Sequence, residues 1–245
     1  MKVALTTLGC KLNYAETSTY ERGFVAHGLE VVPWNKQADV YVINTCAVTE
    51  TAEKKSRNLM RRAHKLAPDA LIIVTGCYAE LKKEKLYEIE GVSRVFTAAE
   101  KPQLVADTLG MLSSTNKDVS VDETVQNASS STNKAVFEDQ TLPAYSSGER
   151  TRSFLKVQDG CNNFCAYCTV PYARGRSRNI PICEVVKQAE QIAALGIKEV
   201  VLTGVNTGDF GRTTGESFLD LLKALDKVEG IDRYRISSIE PNLIT

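Results

Sequence analysis

The sequence predicts an α/β protein, in which an N-terminal doubly wound parallel-sheet domain precedes the first half of a β/α barrel. Three observations carry that prediction. Short β-branched runs alternate with helix-like stretches over residues 1–112. The alternation breaks in a polar stretch, 113–150. It then resumes as strand, helix, strand, helix, strand over 151–245.

In chain order, VALTT (3–7) reads as a first buried strand and Tyr14 to His27 as a helix. LEVV (29–32) and VYVIN (40–44) are strands, followed by a helix from about Val48 to Leu66. LIIVT (71–75) is a strand, Ala79 to Glu90 a helix, VFT (95–97) a strand, and Gln103 to Leu112 a helix. The segment 113–150 is rich in Ser, Thr and Asn and poor in large apolar residues, so it reads as a linker with room for one short strand or hairpin. Beyond it, SFLKVQ (153–158), EVVLTGV (199–205) and YRISSIE (234–240) are strands, separated by helices Ile182 to Leu195 and Ser217 to Lys227. Three strands with right-handed crossovers make half of a barrel or a small open sheet. No helix follows the last strand, so the chain reads as cut short.

Bulk properties narrow the class. A chain of 245 residues buries about 70% of its unfolded surface on folding, so its core needs neither disulfides nor metal. Lys plus Arg and Asp plus Glu balance at 30 each, which leaves any nucleic-acid contact to local basic patches. The start, MKVALTTLGCK, lacks the apolar run of a signal peptide, and no stretch approaches the roughly 20 apolar residues of a membrane span. Seven cysteines in such a chain point to a reducing, cytoplasmic setting, where thiols bind metal, catalyse or sit buried.

Two cysteine sets stand out. Cys10, Cys46 and Cys77 each follow the carboxyl end of a predicted parallel strand, and those ends share one rim of an open sheet. Any one of them alone reads as a core cysteine; three at equivalent places read as a site. Asn44, Thr45, Thr75 and Gly76 line the same rim. The second set is C-x3-C-x2-C, Cys161, Cys165 and Cys168, on one loop after SFLKVQDG. Zinc wants a fourth ligand, and His27 and His64 both lie on predicted helices of the other domain. A C-x-x-C redox pair accommodates Cys165 and Cys168 and leaves Cys161 unexplained. An iron–sulfur cluster with one open iron uses all three. Cys183 lies outside both sets and reads as structural.

The loop GCNNFCAYC resembles the signature of radical S-adenosylmethionine enzymes. That resemblance implies a [4Fe-4S] cluster on Cys161, Cys165 and Cys168 whose open iron binds S-adenosylmethionine. It implies one-electron cleavage to a 5′-deoxyadenosyl radical, and a place for Tyr167 near the adenine. In order, "TLGCKLNYAET", "VINTCAVTETAEKKSR", "VTGCYAE" and "GCNNFCAYCTVPYARGRSR" are similar to the blocks of the methylthiotransferases. The family likeness then implies a second [4Fe-4S] cluster on Cys10, Cys46 and Cys77 that carries or donates sulfur. It implies insertion of sulfur at an unactivated C–H bond followed by methylation, with both clusters facing one cavity between the domains. "GCKLNYAET", "PYARGRSR" and "LTGVNTGDFG" are most similar to the bacterial branch that modifies C2 of threonylcarbamoyladenosine at position 37 of tRNA. Other branches act on isopentenyladenosine in tRNA or on an aspartate of a ribosomal protein. The implied partners are tRNA, an electron donor and a sulfur donor. Family members normally complete the barrel and add a small RNA-binding β-domain, so the likeness implies the activity of a longer parent. A non-catalytic iron–sulfur module for electron transfer or sensing accounts for the cysteines, but not for Tyr167 or the strand–helix barrel start.

Basic residues flank both sets. Arg174, Arg176 and Arg178 follow the loop, with contacts to RNA and shaping of the loop both open to them. Lys54, Lys55, Arg57, Arg61 and Arg62 follow Cys46, where phosphate contact competes with a plain solvated helix face.

Overall fold

A computed structural model of the chain describes residues 1–47, 49–115, 141–148, 151–240 and 243. Its first sheet joins β1 (Lys2–Thr7), β2 (Glu30–Val31), β3 (Val40–Thr45), β4 (Leu71–Gly76) and β5 (Val92–Val95) in the order β2-β1-β3-β4-β5, all parallel. β3 is central because every residue of VYVINT is buried, as a strand covered on both faces requires. Its side chains alternate between two cores. Val40 and Val42 pack with Tyr20, Phe24 and Leu104 from helices α1 (Lys11–Ala26) and α5 (Leu104–Thr115). Tyr41 and Ile43 pack with Met60, Ala63, Tyr78 and Leu86 from α2 (Glu50–Leu66), α3 (Cys77–Leu81) and α4 (Lys83–Tyr87). The sheet is therefore doubly wound. Its strand order reverses between β1 and β3, and such a switch point opens a crevice at the carboxyl ends of the strands.

The second sheet is also parallel, with β9 (Glu199–Thr203) between β6 (Arg152–Lys156) and β10 (Arg233–Ile236). One face, with Leu155, Val200 and Leu202, packs on α7 (Ile182–Ala194) and α8 (Phe218–Leu225). α8 begins on an N-cap in which Ser217 Oγ accepts from Asp220 N at 3.0 Å. The other face meets helix α1 and the segment just ahead of β6: Phe154 and Val201 pack on Ala15 and Ala144. Tyr14 lies edge-on to Phe154 at 5.9 Å between ring centroids. Helix α1 thus serves both halves, turning one side to its own sheet and the other to β6.

Several expected elements shift. The stretch Ala79 to Glu90 is two short helices rather than one, because Lys82 sits at φ −143° and ψ 45°, outside the helical region. The strand expected at 95–97 lies at Val92–Val95, with a register shift opposite Ile72 and Ile73. LEVV shortens to Glu30–Val31. SFLKVQ ends as a sheet strand at Lys156, and Gln158–Asp159 (β7) pairs instead with Arg178–Asn179 (β8), antiparallel. Between α5 and that point, Tyr145 forms an isolated antiparallel bridge to Leu155. The expected start of α2 at Val48, and most of the expected linker, 116–140, lie outside the described residues.

Candidate functional site

The cysteine-bearing turns of the first sheet sit at its switch point. Register pairs Thr7 with Asn44, Asn44 with Thr75, and Thr45 with Gly76, so Cys46 and Cys77 follow neighbouring strand ends directly. Cys10 reaches the same place through Gly9, whose φ of +109° turns the chain. A Cβ on Gly9 would stand 3.0 Å from Cys46 Cβ and 3.1 Å from its sulfur, so only glycine lets the two turns approach this closely. Gly76, at φ +97°, has no such space at all: an added Cβ would lie 2.3 Å from Thr45 O.

A buried polar lattice fixes these turns. Asn13 Nδ2 donates to Leu8 O and Thr45 O, both at 2.9 Å. Asn44 Nδ2 donates to Asn13 O at 3.0 Å, and Thr45 Oγ1 to Thr75 O at 2.6 Å. Of the thiols, Cys10 is exposed while Cys46 and Cys77 are buried, and all are free. Burial pushes the Cys77 thiol up, against the pull of Arg174 and Lys101.

The second trio sits on a pinched loop. β7 and β8 clamp its base through Gln158–Asn179 and Asp159–Arg178. Cys161 N donates to Gly175 O at 3.1 Å, and Ser177 N to Asn162 Oδ1 at 3.1 Å. Gly160, at φ +72°, lies so close to Arg176 O that any side chain would clash. Cys168 N donates to Cys165 O at 2.9 Å, forming a tight turn beside Phe164, whose φ is +44°. Cys165 is exposed, and Cys161 and Cys168 are half-buried. Tyr167 is 94% exposed, with its ring free of the core. Arg176 is exposed and its guanidinium lies 6.0 Å from the Phe164 ring centroid.

Among the described residues, no three His, Cys, Asp or Glu side chains already converge on a point as a metal-binding group. Each trio shares a rim or a loop without being drawn together. Its donors are nonetheless three sulfurs and nothing harder, which suits iron–sulfur or another soft centre and not magnesium or calcium.

Sequence reasoning missed the charged network behind both sets. Glu16, fully buried on α1, accepts from Lys101 at 2.7 Å and Lys156 at 2.8 Å, with Arg174 at 3.4 Å. Asp159 pairs with Lys156 at 2.7 Å and Arg174 at 2.9 Å. Burial alone would raise the Glu16 carboxyl; Lys101, Lys156 and Arg174 instead hold it far below the carboxylate range. Arg174 is only 4% exposed, held away from solvent between the Glu16 and Asp159 carboxylates. Arg178 is partly buried, donating to Arg174 O at 2.7 Å and Arg176 O at 3.1 Å. On α2, Lys54, Lys55, Arg61 and Arg62 are exposed, whereas Arg57 donates to Tyr78 Oη at 3.0 Å. The one available signal was the position of Asp159 and Arg174 on either side of the cysteine loop.

Comparison with known proteins adds to the geometry. Residues 2–97 match the family model described as uncharacterized protein family UPF0004, and residues 155–243 match the radical SAM superfamily. A threonylcarbamoyladenosine tRNA methylthiotransferase MtaB of Bacillus subtilis is 42% identical over 99% of this chain and 52% of its own length. The protein of that name from Aquifex aeolicus is 38% identical over 98% of this chain and 56% of its own. The chain spans about half the length of these curated relatives. Among solved structures, the radical S-adenosylmethionine methyltransferase TsrM of Kitasatospora setae, with cobalamin and a [4Fe-4S] cluster bound, aligns at a TM-score of 0.54. It is 15% identical, and the alignment covers 91% of this chain and 50% of TsrM, a likeness of fold.

Proposed function

We propose, from the match of residues 2–97 to UPF0004 and of residues 155–243 to the radical SAM superfamily, that this chain is part of a tRNA-modifying methylthiotransferase. Its reaction is methylthiolation at C2 of threonylcarbamoyladenosine, position 37 of tRNA. The observation that carries this reading is the double trio: three cysteines at the switch point of one parallel sheet, and three on a loop beside the first strand of another, with a shared helix between. Likeness to the relatives named above supports the choice of nucleoside.

In this reading residues 1–112 form the first domain, 113–150 a linker and 151–245 the partial barrel. Cys10, Cys46 and Cys77 hold one [4Fe-4S] cluster and Cys161, Cys165 and Cys168 the other. When bound, the clusters and S-adenosylmethionine supply the electron, the radical and the sulfur, chemistry that thiolate ligation suits. The protein supplies position. Gly9 and Gly76 bring the first three thiols to one rim, and the β7–β8 clamp presents the second three. Tyr167 is free to lie along the adenine, and the exposed Arg176 with Lys54, Lys55, Arg61 and Arg62 is free to meet phosphate. An electron donor and a sulfur donor complete the set of partners, in the cytoplasm. Among the described residues no helix is long and apolar enough to cross a membrane.

Anaerobic reconstitution tests the reading. Two clusters predict about eight irons per chain. Release of 5′-deoxyadenosine from S-adenosylmethionine and reductant is the expected second result. Zinc in place of iron would end this account, and loss of the C2 methylthio group from tRNA of a strain lacking the gene would fix the substrate. An unmodified isopentenyladenosine in that strain would move the chain to the other tRNA branch.

A further inference from the structure

We infer that Arg174 is the counter-ion of the anionic group held at the rim of Cys10, Cys46 and Cys77, a positioning residue supplied to the first domain's site by the second half of the chain. The inference rests on the proposed reading that this rim holds an iron–sulfur cluster.

Arg174 ends α6 (Val170–Arg174), directly after the loop of the other trio. Its two terminal nitrogens face different ways. Nη1 donates to Asp159 Oδ1 at 2.9 Å and approaches Glu16 Oε1 at 3.4 Å. Nη2 turns to Asn13 Oδ1 and to Cys10 Sγ, at 3.9 Å from the sulfur. A guanidinium fork spans both sides at once, which the single ammonium of lysine does not.

Charge counting gives the reason for the second direction. The buried network holds Lys101, Lys156 and Arg174 against Glu16 and Asp159, which leaves one positive charge uncompensated. Arg178, 3.8 Å from Asp159, adds to the excess at the edge. A buried charge without a partner is costly, so the excess calls for an anion in contact with it. The open side of the network is the Nη2 side, where the neutral Asn13 amide and Cys10 stand, and Cys10 is the group there that can carry negative charge. Three thiolates on an oxidised cubane leave a net negative charge, which deepens when the cluster takes up one electron. Arg174 therefore favours the reduced state, as charged and hydrogen-bonding groups around metal-bound sulfur do.

The test uses the full chain with Cys161, Cys165 and Cys168 replaced by alanine, so that only iron at the first rim reports. After anaerobic reconstitution, one electron per cluster is delivered by dithionite through mediators, with no bond broken, and the midpoint is read by electron paramagnetic resonance. R174Q is expected to shift the reduction equilibrium about tenfold toward the oxidised form, about 59 mV more negative for one electron. R174K keeps the charge and loses the fork, so its shift is expected to be smaller than that of R174Q. Where R174Q alone does not fold, the E16Q/R174Q pair removes one charge of each sign and is expected to show a smaller shift in the same direction, because Arg174 and not Glu16 contacts Cys10 Sγ. A midpoint unchanged in the iron-loaded variants, or moved as far by R174K as by R174Q, overturns the counter-ion role. Absence of iron from the parent chain overturns the cluster reading itself, and iron analysis separates the two failures.

Discussion

Replacing Glu16 by glutamine removes the carboxylate around which Lys101, Lys156 and Arg174 are gathered. The side chains of all four are at most 7% exposed, so water does not take the place of the lost charge. Lys101 suffers most, because Glu16, at 2.7 Å, is the carboxylate it faces. Breaking a buried pair by deleting one partner costs about 3–5 kcal/mol, most of it the exposure of an uncompensated charge to a poor solvent. With a urea dependence of about 2–3 kcal/mol per molar, the unfolding midpoint is expected to fall by about 1–2.5 M. Adding K101M to E16Q removes the stranded cation and is expected to restore at least half the loss. Urea unfolding followed by circular dichroism measures both. A midpoint that moves by less than about 0.3 M, or a double variant no better than E16Q, would refute the view that the Glu16 carboxylate is what holds these buried cations in place. Acid gives an independent check. Both carboxyls are depressed in the folded state despite burial, Glu16 below its ordinary 4.5 and Asp159 below its ordinary 3.8. A depressed carboxyl stabilises fully above its unfolded pKa and loses that contribution as pH falls toward the folded value. The parent chain should therefore lose stability as pH drops from about 4.5, and E16Q should lose less over the same window.

Two more tests concern the cysteine turns. Gly76→Ala forces a side chain into a φ of +97° against Thr45 O, and a loss of about 2–4 kcal/mol in the same urea assay is expected; a neutral result would mean that β4 and β3 separate easily. In the metal-free chain, a short pulse of iodoacetamide read by mass spectrometry should label exposed Cys165, Cys10 and Cys183 well before buried Cys46 and Cys77. Cys77 should be slowest, since burial pushes its thiol up, and labelling of Cys77 as fast as Cys165 would contradict the rim geometry.

The sequence made the strands legible because VYVIN and LIIVT are continuous apolar runs, a pattern few surface segments share. From strand ends the shared rim on which Cys10, Cys46 and Cys77 stand followed without side-chain detail. The network was illegible for the opposite reason. Glu, Lys and Arg read as surface residues, and the partners of Glu16 lie 85, 140 and 158 positions away. No local pattern announces a pairing that exists only after two sheets have packed on one helix. The break at Lys82 was equally hidden, since Lys is an ordinary helix former. Arg174 shows the limit most plainly: in RGRSR it is one arginine among three, and its neighbours in space, not in sequence, separate it from exposed Arg176.

The clamp of β7 on β8 has a consequence for assembly. Closing an unstructured loop of ~18 residues costs about 2.5 kcal/mol of chain entropy. Here residues 160–177 already begin and end on paired strands, tied further by Cys161 N to Gly175 O. Whatever binds the three thiols of that loop meets a chain whose ends are already joined. Its arrival has only the short arc from Cys161 to Cys168 left to order, so loading and unloading of the loop can proceed on a finished scaffold.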